Sequence, residues 1–129
     1  MDETVPSERE LEILKVLWEL GSASVREVHE RLCPQGEAHF NTVQTLLRIM
    51  EDKGLVEHRA TGRTFIYTPT HSREQVSQRF LNKVFDGSLD QLVLSLLQAE
   101  GTSAAELRDL ELLIARARRQ KLSREREGE

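Results

Sequence analysis

From residue 7 to residue 117 the apolar residues recur at helical spacing, interrupted once by the two-residue alternation of strands. Ser7-Glu-Arg-Glu10 has the form of a capping box and opens a helix that Gly21 ends. Leu11, Ile13, Leu14, Val16, Leu17, Trp18 and Leu20 cover most of its circumference, leaving Glu8, Glu12, Lys15 and Glu19 as one polar stripe. That pattern predicts a helix buried on several sides, with Trp18 in the core. Ser22 to Ser24 reads as a short extended link. Ser24 and Glu27 form a second capping box, and the helix from Val25 to Leu32 turns Val25, Val28 and Leu32 inward before Pro34 and Gly36 stop it. Residues 33–40 read as a polar turn. In the third helix Val43, Leu46, Leu47 and Met50 fall at i, i+3, i+4 and i+7, with Asn41, Gln44, Thr45 and Arg48 on the opposite side. Asn41 is the expected cap, Gln44 reaching back to it, and Gly54 the expected left-handed stop.

The alternation comes next. Leu55–Arg59 and Thr64–Thr68 are rich in β-branched and aromatic residues, and Ala60-Thr-Gly-Arg63 between them predicts a hairpin turn with Arg59 and Arg63 at its flanks. Beyond Pro69 three helices are expected. The first is capped by Ser72, carries Val76, Phe80, Leu81, Val84 and Phe85, and ends at Asp86-Gly87. The second opens at Ser88, with Leu89, Leu92, Val93, Leu96 and Leu97 on one face and Leu94 on the other. The third opens at a Ser103–Glu106 box, with Leu107, Leu110, Leu113, Ile114 and Ala117 on one face and Leu112 across from it. Leucines on two faces of short helices exceed what about 50 residues can bury alone. A symmetric homodimer is the expected way to cover them, through Phe80, Leu89, Leu92, Leu94, Leu96, Leu107, Leu110, Leu112 and Leu113. The charged stretch from Arg116 to Glu129 reads as a frayed tail.

The fold class expected is mainly α with a small β-hairpin wing: a winged helix-turn-helix over residues 1–70, then a three-helix dimerisation region over 71–129 that ends in the charged tail. Helix, turn, helix and hairpin, with hydrogen-bonding side chains outward on the second helix of the motif, is an arrangement that reads base edges in a major groove. On this reading Asn41, Gln44, Thr45 and Arg48 face the bases, and Arg59 and Arg63 meet the sugar–phosphate backbone.

Composition changes that picture in one respect. The 129 residues are 38% hydrophobic and 31% charged, an ordinary folded composition, but the net charge is −4. Nucleic-acid binding then needs a local patch. Residues 1–37 hold nine acids against four bases, whereas residues 38–71 hold three acids against four bases, so the acidity lies ahead of the reading helix. With no apolar run long enough for a membrane and no signal-peptide core, a cytoplasmic protein without membrane insertion is expected. The single cysteine, Cys33, forms no cysteine cluster for metal and reads as a partly buried apolar residue. The four histidines lack metal-ligand spacing, and neither a nucleophile elbow nor a glycine-rich phosphate loop is present. Neither an enzyme nor a cofactor is expected.

The chain resembles the penicillinase repressor family from about Ser7 to Ala117. The resemblance rests on Glu10-Leu-Glu-Ile-Leu-Lys-Val-Leu-Trp18, Val25-Arg-Glu-Val28, Thr42-Val-Gln-Thr-Leu-Leu47, Lys53-Gly-Leu-Val56, Phe65-Ile-Tyr67 and Phe80-Leu-Asn-Lys-Val-Phe-Asp-Gly87. It implies a dimeric winged-helix repressor on an inverted-repeat operator in double-stranded DNA, with recognition by Thr42, Gln44, Thr45 and Arg48. It also implies, for some members, relief of repression when a transmembrane sensor-protease cuts the dimerisation half, here within Gln91–Gln98 near Ser95–Leu96. Some of the proteolysed members carry Asn-Phe at the corresponding bond, and this chain has Ser-Leu. The copper-responsive branch carries a C-terminal cysteine cluster, and no cysteine follows Cys33. The alternative, which the acidic net charge favours, is a winged-helix protein-interaction module that does not touch DNA.

Overall fold

The computed structural model describes residues 6–34, 39–99 and 101–128. The order is α1 (Glu8–Leu20), β1 (Ala23–Ser24), α2 (Val25–Leu32), α3 (Phe40–Asp52), β2 (Val56–Thr61), β3 (Thr64–Pro69), α4 (Arg73–Phe85), α5 (Leu89–Gln98) and α6 (Ala104–Glu127). The chain divides into two compact units, one ending at Ser88 and one beginning at Leu89. α4 therefore groups with the winged helix, and residue 70 lies inside the first unit.

The first unit is built on α1. Its capping box is formed reciprocally: the Glu10 amide donates to Ser7 Oγ at 3.3 Å and the Ser7 amide donates to Glu10 Oε1 at 2.8 Å. Ser24 and Glu27 repeat the arrangement at α2. Ile13, Leu14, Val16 and Leu17 of α1 pack with Val28 of α2, with Val43, Leu47 and Met50 of α3, and with Leu55, Val56 and Tyr67 of the hairpin, all buried. Leu46 and Trp18 are only partly buried, and Leu20 is exposed. α1 thus buries one broad face rather than several sides. Trp18 lies at the margin of the core, where its Nε1 donates to the His71 carbonyl at 2.9 Å and Arg73 stacks over its ring.

Two expectations about boundaries are corrected. α3 begins at Phe40, one residue early, and its N-cap is His39 without a side-chain bond. Asn41 sits inside the first turn, so it cannot cap the helix; the His39 carbonyl takes the Thr42 amide instead. The link at residues 22–24 is not merely extended. Ala23 and Ser24 pair antiparallel with Tyr67 and Ile66, giving a three-stranded sheet in the order β1-β3-β2. The stop at Gly36 falls outside the described residues. At the other end of α3 the stop is as expected: Gly54 takes φ +80°, its amide donates to Glu51, and the Leu55 amide returns to the Met50 carbonyl, the bond pattern of a Schellman motif.

α4 is tied to the winged helix by a chain of hydrogen bonds. Thr70 Oγ1 donates to the Gly54 carbonyl at 2.6 Å, His71 Nδ1 lies 2.8 Å from Thr70 Oγ1, and Arg79 is 2.7 Å from His71 Nε2. Arginine only donates, so Nε2 accepts and Nδ1 carries the proton that goes to Thr70. α4, α5 and α6 contain no buried residue among those described. The tail is not frayed: α6 runs unbroken to Glu127. Ser103 caps it by accepting from the Glu106 amide at 3.1 Å, without the reciprocal bond to its own backbone.

Candidate nucleic-acid interface

α3 presents its polar side because its apolar residues are fixed by the core. At about 100° per residue, Asn41, Gln44, Thr45 and Arg48 share an arc of about 100° opposite Val43, Leu47 and Met50. Asn41, Thr45 and Arg48 are exposed and Gln44 is half-buried. Thr42 stands off that arc. It lines a second, shallower cleft of about 380 Å³ with Glu8, Arg9 and Glu12 of α1 and Cys33 at the end of α2.

Gln44 and Arg48 open onto the main cleft of this unit, about 600 Å³, whose other described walls are Ser24, Val25 and Arg26 at the start of α2, Phe40 at the start of α3, and Arg63, Thr64, Phe65 and Tyr67 of the wing. Three arginines line it, and among the described residues no acid does. The turn that delivers Arg63 is tighter than expected. Thr61 pairs with Thr64, so Gly62 and Arg63 alone make it, Gly62 at φ +63° in the first position, as a type II′ hairpin turn requires. Arg59 is not brought to the cleft. It pairs with Ile66, on the sheet face opposite to the His58–Tyr67 pair, and it sits within the strand rather than beside the turn.

The wing is held to α3 by more than packing. His58 stacks on Phe65 with ring centroids 4.1 Å apart, and its Nδ1 lies 2.6 Å from Glu51 Oε2 in the last turn of α3. Tyr67 is buried beneath them, and burial raises its phenol above the ordinary value, Glu51 adding to the rise and Arg48 opposing it. α3 is held at its far end by a half-buried ion pair. Glu10, 2% exposed, accepts from Lys53 Nζ at 2.9 Å through the oxygen not used by Ser7. Burial alone pushes this carboxyl up, but the Ser7 amide and the Lys53 ammonium outweigh it, and it settles below the usual range.

Arg26, Phe40 and Phe65 line the cleft as well and are not among the residues that the sequence pattern singles out. Arg26 had a signal: it follows the Ser24 cap, and the first helix of such a motif crosses the DNA backbone. Phe40 and Phe65, both exposed, carry no periodicity that separates them from core aromatics. Among the described residues no group of three or more His, Cys, Asp or Glu is placed to hold a metal ion. No described helix is long and apolar enough to cross a membrane.

Three helices, a three-stranded sheet and a hairpin beside the second helix of the motif define a winged helix-turn-helix protein. The chain belongs to the penicillinase repressor family, a family of transcriptional repressors whose model matches residues 6–116. It is 34% identical over 108 residues to the penicillinase repressor of Bacillus licheniformis, covering 81% of this chain and 84% of that one. It is 26% identical over 108 residues to the methicillin resistance regulatory protein MecI of Staphylococcus aureus, covering 81% and 88%. Among solved structures, the DNA-binding domain of the repressor BlaI aligns over 54% of this chain and 88% of that one at 35% identity and TM-score 0.49. A chain of the hsRosR–S4 complex aligns over 92% and 94% at 21% identity and TM-score 0.53, a likeness of fold.

Proposed function

We propose that the protein is a cytoplasmic, sequence-specific repressor that binds an inverted-repeat operator as a homodimer and acts by occupancy, without catalysis. The observation that carries this is the main cleft, where the hydrogen-bonding face of α3 meets Arg26 and the Arg63 wing with no acid among the described residues that line it. Asn41, Gln44, Thr45 and Arg48 read base edges. Arg63 and Arg26 take phosphates, and Arg59 reaches the backbone from the other face of the wing. Thr42, which the family resemblance includes, contributes from the α1 side of the helix. Glu10–Lys53 and His58–Glu51 fix the angle of α3 and the seat of the wing, so the reading surface is preformed.

The homodimer rests on the apolar surface of the last three helices. Leu92 is half-buried, and Phe80, Leu89, Leu94, Leu96, Leu107, Leu110, Leu112 and Leu113 are exposed, Leu96 and Leu112 at 59% each. A second copy covers them and places two recognition helices on half-sites one turn apart, roughly 34–36 Å, or a multiple of it. Relief of repression by a transmembrane sensor-protease cutting at Ser95–Leu96 is part of the same proposal. That bond lies inside α5, so the helix opens locally before it is cut. Cutting there detaches α6 and with it the coupling of the two half-site readers.

The test is footprinting on the DNA upstream of the chain's own gene, followed by titration of variants. Thr45→Ala and Gln44→Ala weaken operator binding by about 1–3 kcal/mol each. Arg63→Ala weakens binding to all sequences alike and lowers the salt slope by about 1. Wild-type binding by all three overturns the assignment of the face, and no footprint at low salt favours the protein-interaction module. Persistence of the full-length chain during induction, followed by mass spectrometry, overturns the proteolytic step.

A further inference from the structure

The last twelve residues of α6 differ from the rest of the chain. Residues 116–127 carry six bases (Arg116, Arg118, Arg119, Lys121, Arg124, Arg126) against two acids (Glu125, Glu127), a net of +4 in a protein whose total is −4. All twelve are exposed, and among the described residues no ion pair engages any of the six. The family model ends at residue 116, so all of this segment after Arg116 lies past the match.

The apolar stripe of α6 stops where this segment starts. Leu107, Leu110, Ile114 and Ala117 follow the 3-4-3 spacing of a packing seam, and the next two positions of that seam are Lys121 and Arg124. The six bases spread around the helix, with Leu122 the one large apolar side chain among them. A second copy of the chain has no seam to pack against here. A membrane surface has no apolar face to receive, which interfacial helices need. Favourable contact with the helix dipole accounts for Arg124 and Arg126 in the last turn but not for Arg116 to Lys121. What the segment fits is a polyanion.

We infer that residues 116–127 bind the phosphodiester backbone of duplex DNA, outside the base pairs read by α3. The inference rests on the proposed function, because operator binding holds the segment near DNA through a covalent tether. It also answers a deficit in the reading unit, where three arginines in the cleft face a polyanion from an acidic protein. Contacts of this kind carry no sequence information; they raise affinity, its dependence on salt and the length of duplex engaged.

The experiment compares the full chain with a full-length variant carrying Arg118→Gln, Arg119→Gln and Lys121→Gln, and with Arg118→Lys, Arg119→Lys. Glutamine and lysine keep helix propensity close to that of arginine, so α6 persists. Binding is titrated against salt on a footprinted operator, with and without flanking sequence, and on a random duplex of the longer length. Losing six charges per dimer lowers the slope of log affinity against log salt by about 2–5 on both long duplexes. The lysine variant keeps the wild-type slope. Wild type gains affinity from flanking sequence and the glutamine variant does not. Equal slopes for wild type and the glutamine variant overturn the inference. So does dissociation of the glutamine variant to monomers in sedimentation, which assigns the segment to the dimer. The random duplex separates the two readings: a lost slope there without any operator footprint upholds this contact and sinks the operator reading alone.

Discussion

Replacing Lys53 by methionine keeps the length of the side chain and removes the ammonium that meets Glu10. The carboxylate is then left inside the protein, with Ser7 on one oxygen and nothing on the other. A hydrogen bond to a charged group contributes about 1.5–3 kcal/mol. The Lys53 side chain is 39% exposed, so solvent screens part of that interaction, and a loss of about 1–2 kcal/mol is expected. For a unit of this size each kcal/mol lowers Tm by about 4–8 °C. Urea unfolding followed by the fluorescence of Trp18, the single tryptophan, reads the unit that contains the pair. Glu10→Gln supplies the control in pH. The Glu10 carboxyl is held below its usual value of 4.5 in the folded protein, so its contribution is complete above that pH. It fades as the pH falls through the lower folded value. The stability difference between wild type and Glu10→Gln therefore shrinks below about pH 4.5. A Lys53→Met protein within about 0.3 kcal/mol of wild type, with a pH-independent gap to Glu10→Gln, refutes the reasoning, since exposed pairs are worth that little.

Other expectations follow from single contacts. Gly54→Ala places a Cβ in open space but at φ +80°, so backbone strain alone should cost about 1–2 kcal/mol in urea unfolding. Leu112→Glu should leave Trp18 fluorescence native while sedimentation shows monomer, and operator affinity should fall by at least about 10²-fold with the loss of the second reader. His71→Ala should speed hydrogen exchange in the first turn of α4 by releasing Arg79, at about 1 kcal/mol. His71→Gln should restore protection, because its amide oxygen can accept where Nε2 does.

Much of the fold was legible because periodicity and capping are local. Ser7–Glu10, Ser24–Glu27 and Ser72–Gln75 each close their capping boxes within four residues. What was not legible depends on partners far along the chain. Ala23-Ser24 is too short to alternate and becomes a strand only because Tyr67 and Ile66 lie beside it. Glu10 reads as a cap residue, and its burial becomes visible only when Lys53, 43 residues later, is placed on it. α3 begins at Phe40 because a backbone carbonyl suffices to start it, which no side-chain signature announces. The charged stretch after Arg116 was expected to fray, since no apolar stripe holds it. It stays helical because Ala, Arg, Gln, Lys, Leu and Glu are strong helix formers, until Gly128.

Of the residues expected to meet DNA, the fold brings Gln44, Arg48 and Arg63 to one cleft and leaves Thr42 and Arg59 off it, and the electrostatics were harder still to read from the chain. Total charge argued against a polyanionic partner, yet a sum over 129 residues says nothing about where the charges stand. In the folded chain Glu8 and Glu12 stand at the α1 cleft beside Thr42, and Glu10 is buried and neutralised by Lys53. Glu51 is engaged by His58 and Glu19 by Arg31. The α3 cleft is left with Arg26, Arg48 and Arg63 and, among the described residues, no acid on its walls. A field of several charges a Debye length away, about 8 Å at physiological salt, is largely screened at an exposed surface. Local composition therefore outweighs the total. The same reasoning makes the basic end of α6 significant, because its net +4 is gathered in twelve residues with only two acids among them. Screening also makes the two contributions separable. On the proposed reading Arg63 takes a phosphate within the operator and Arg118, Arg119 and Lys121 take phosphates beyond it, so only replacing the first should reduce affinity for a duplex trimmed to the operator.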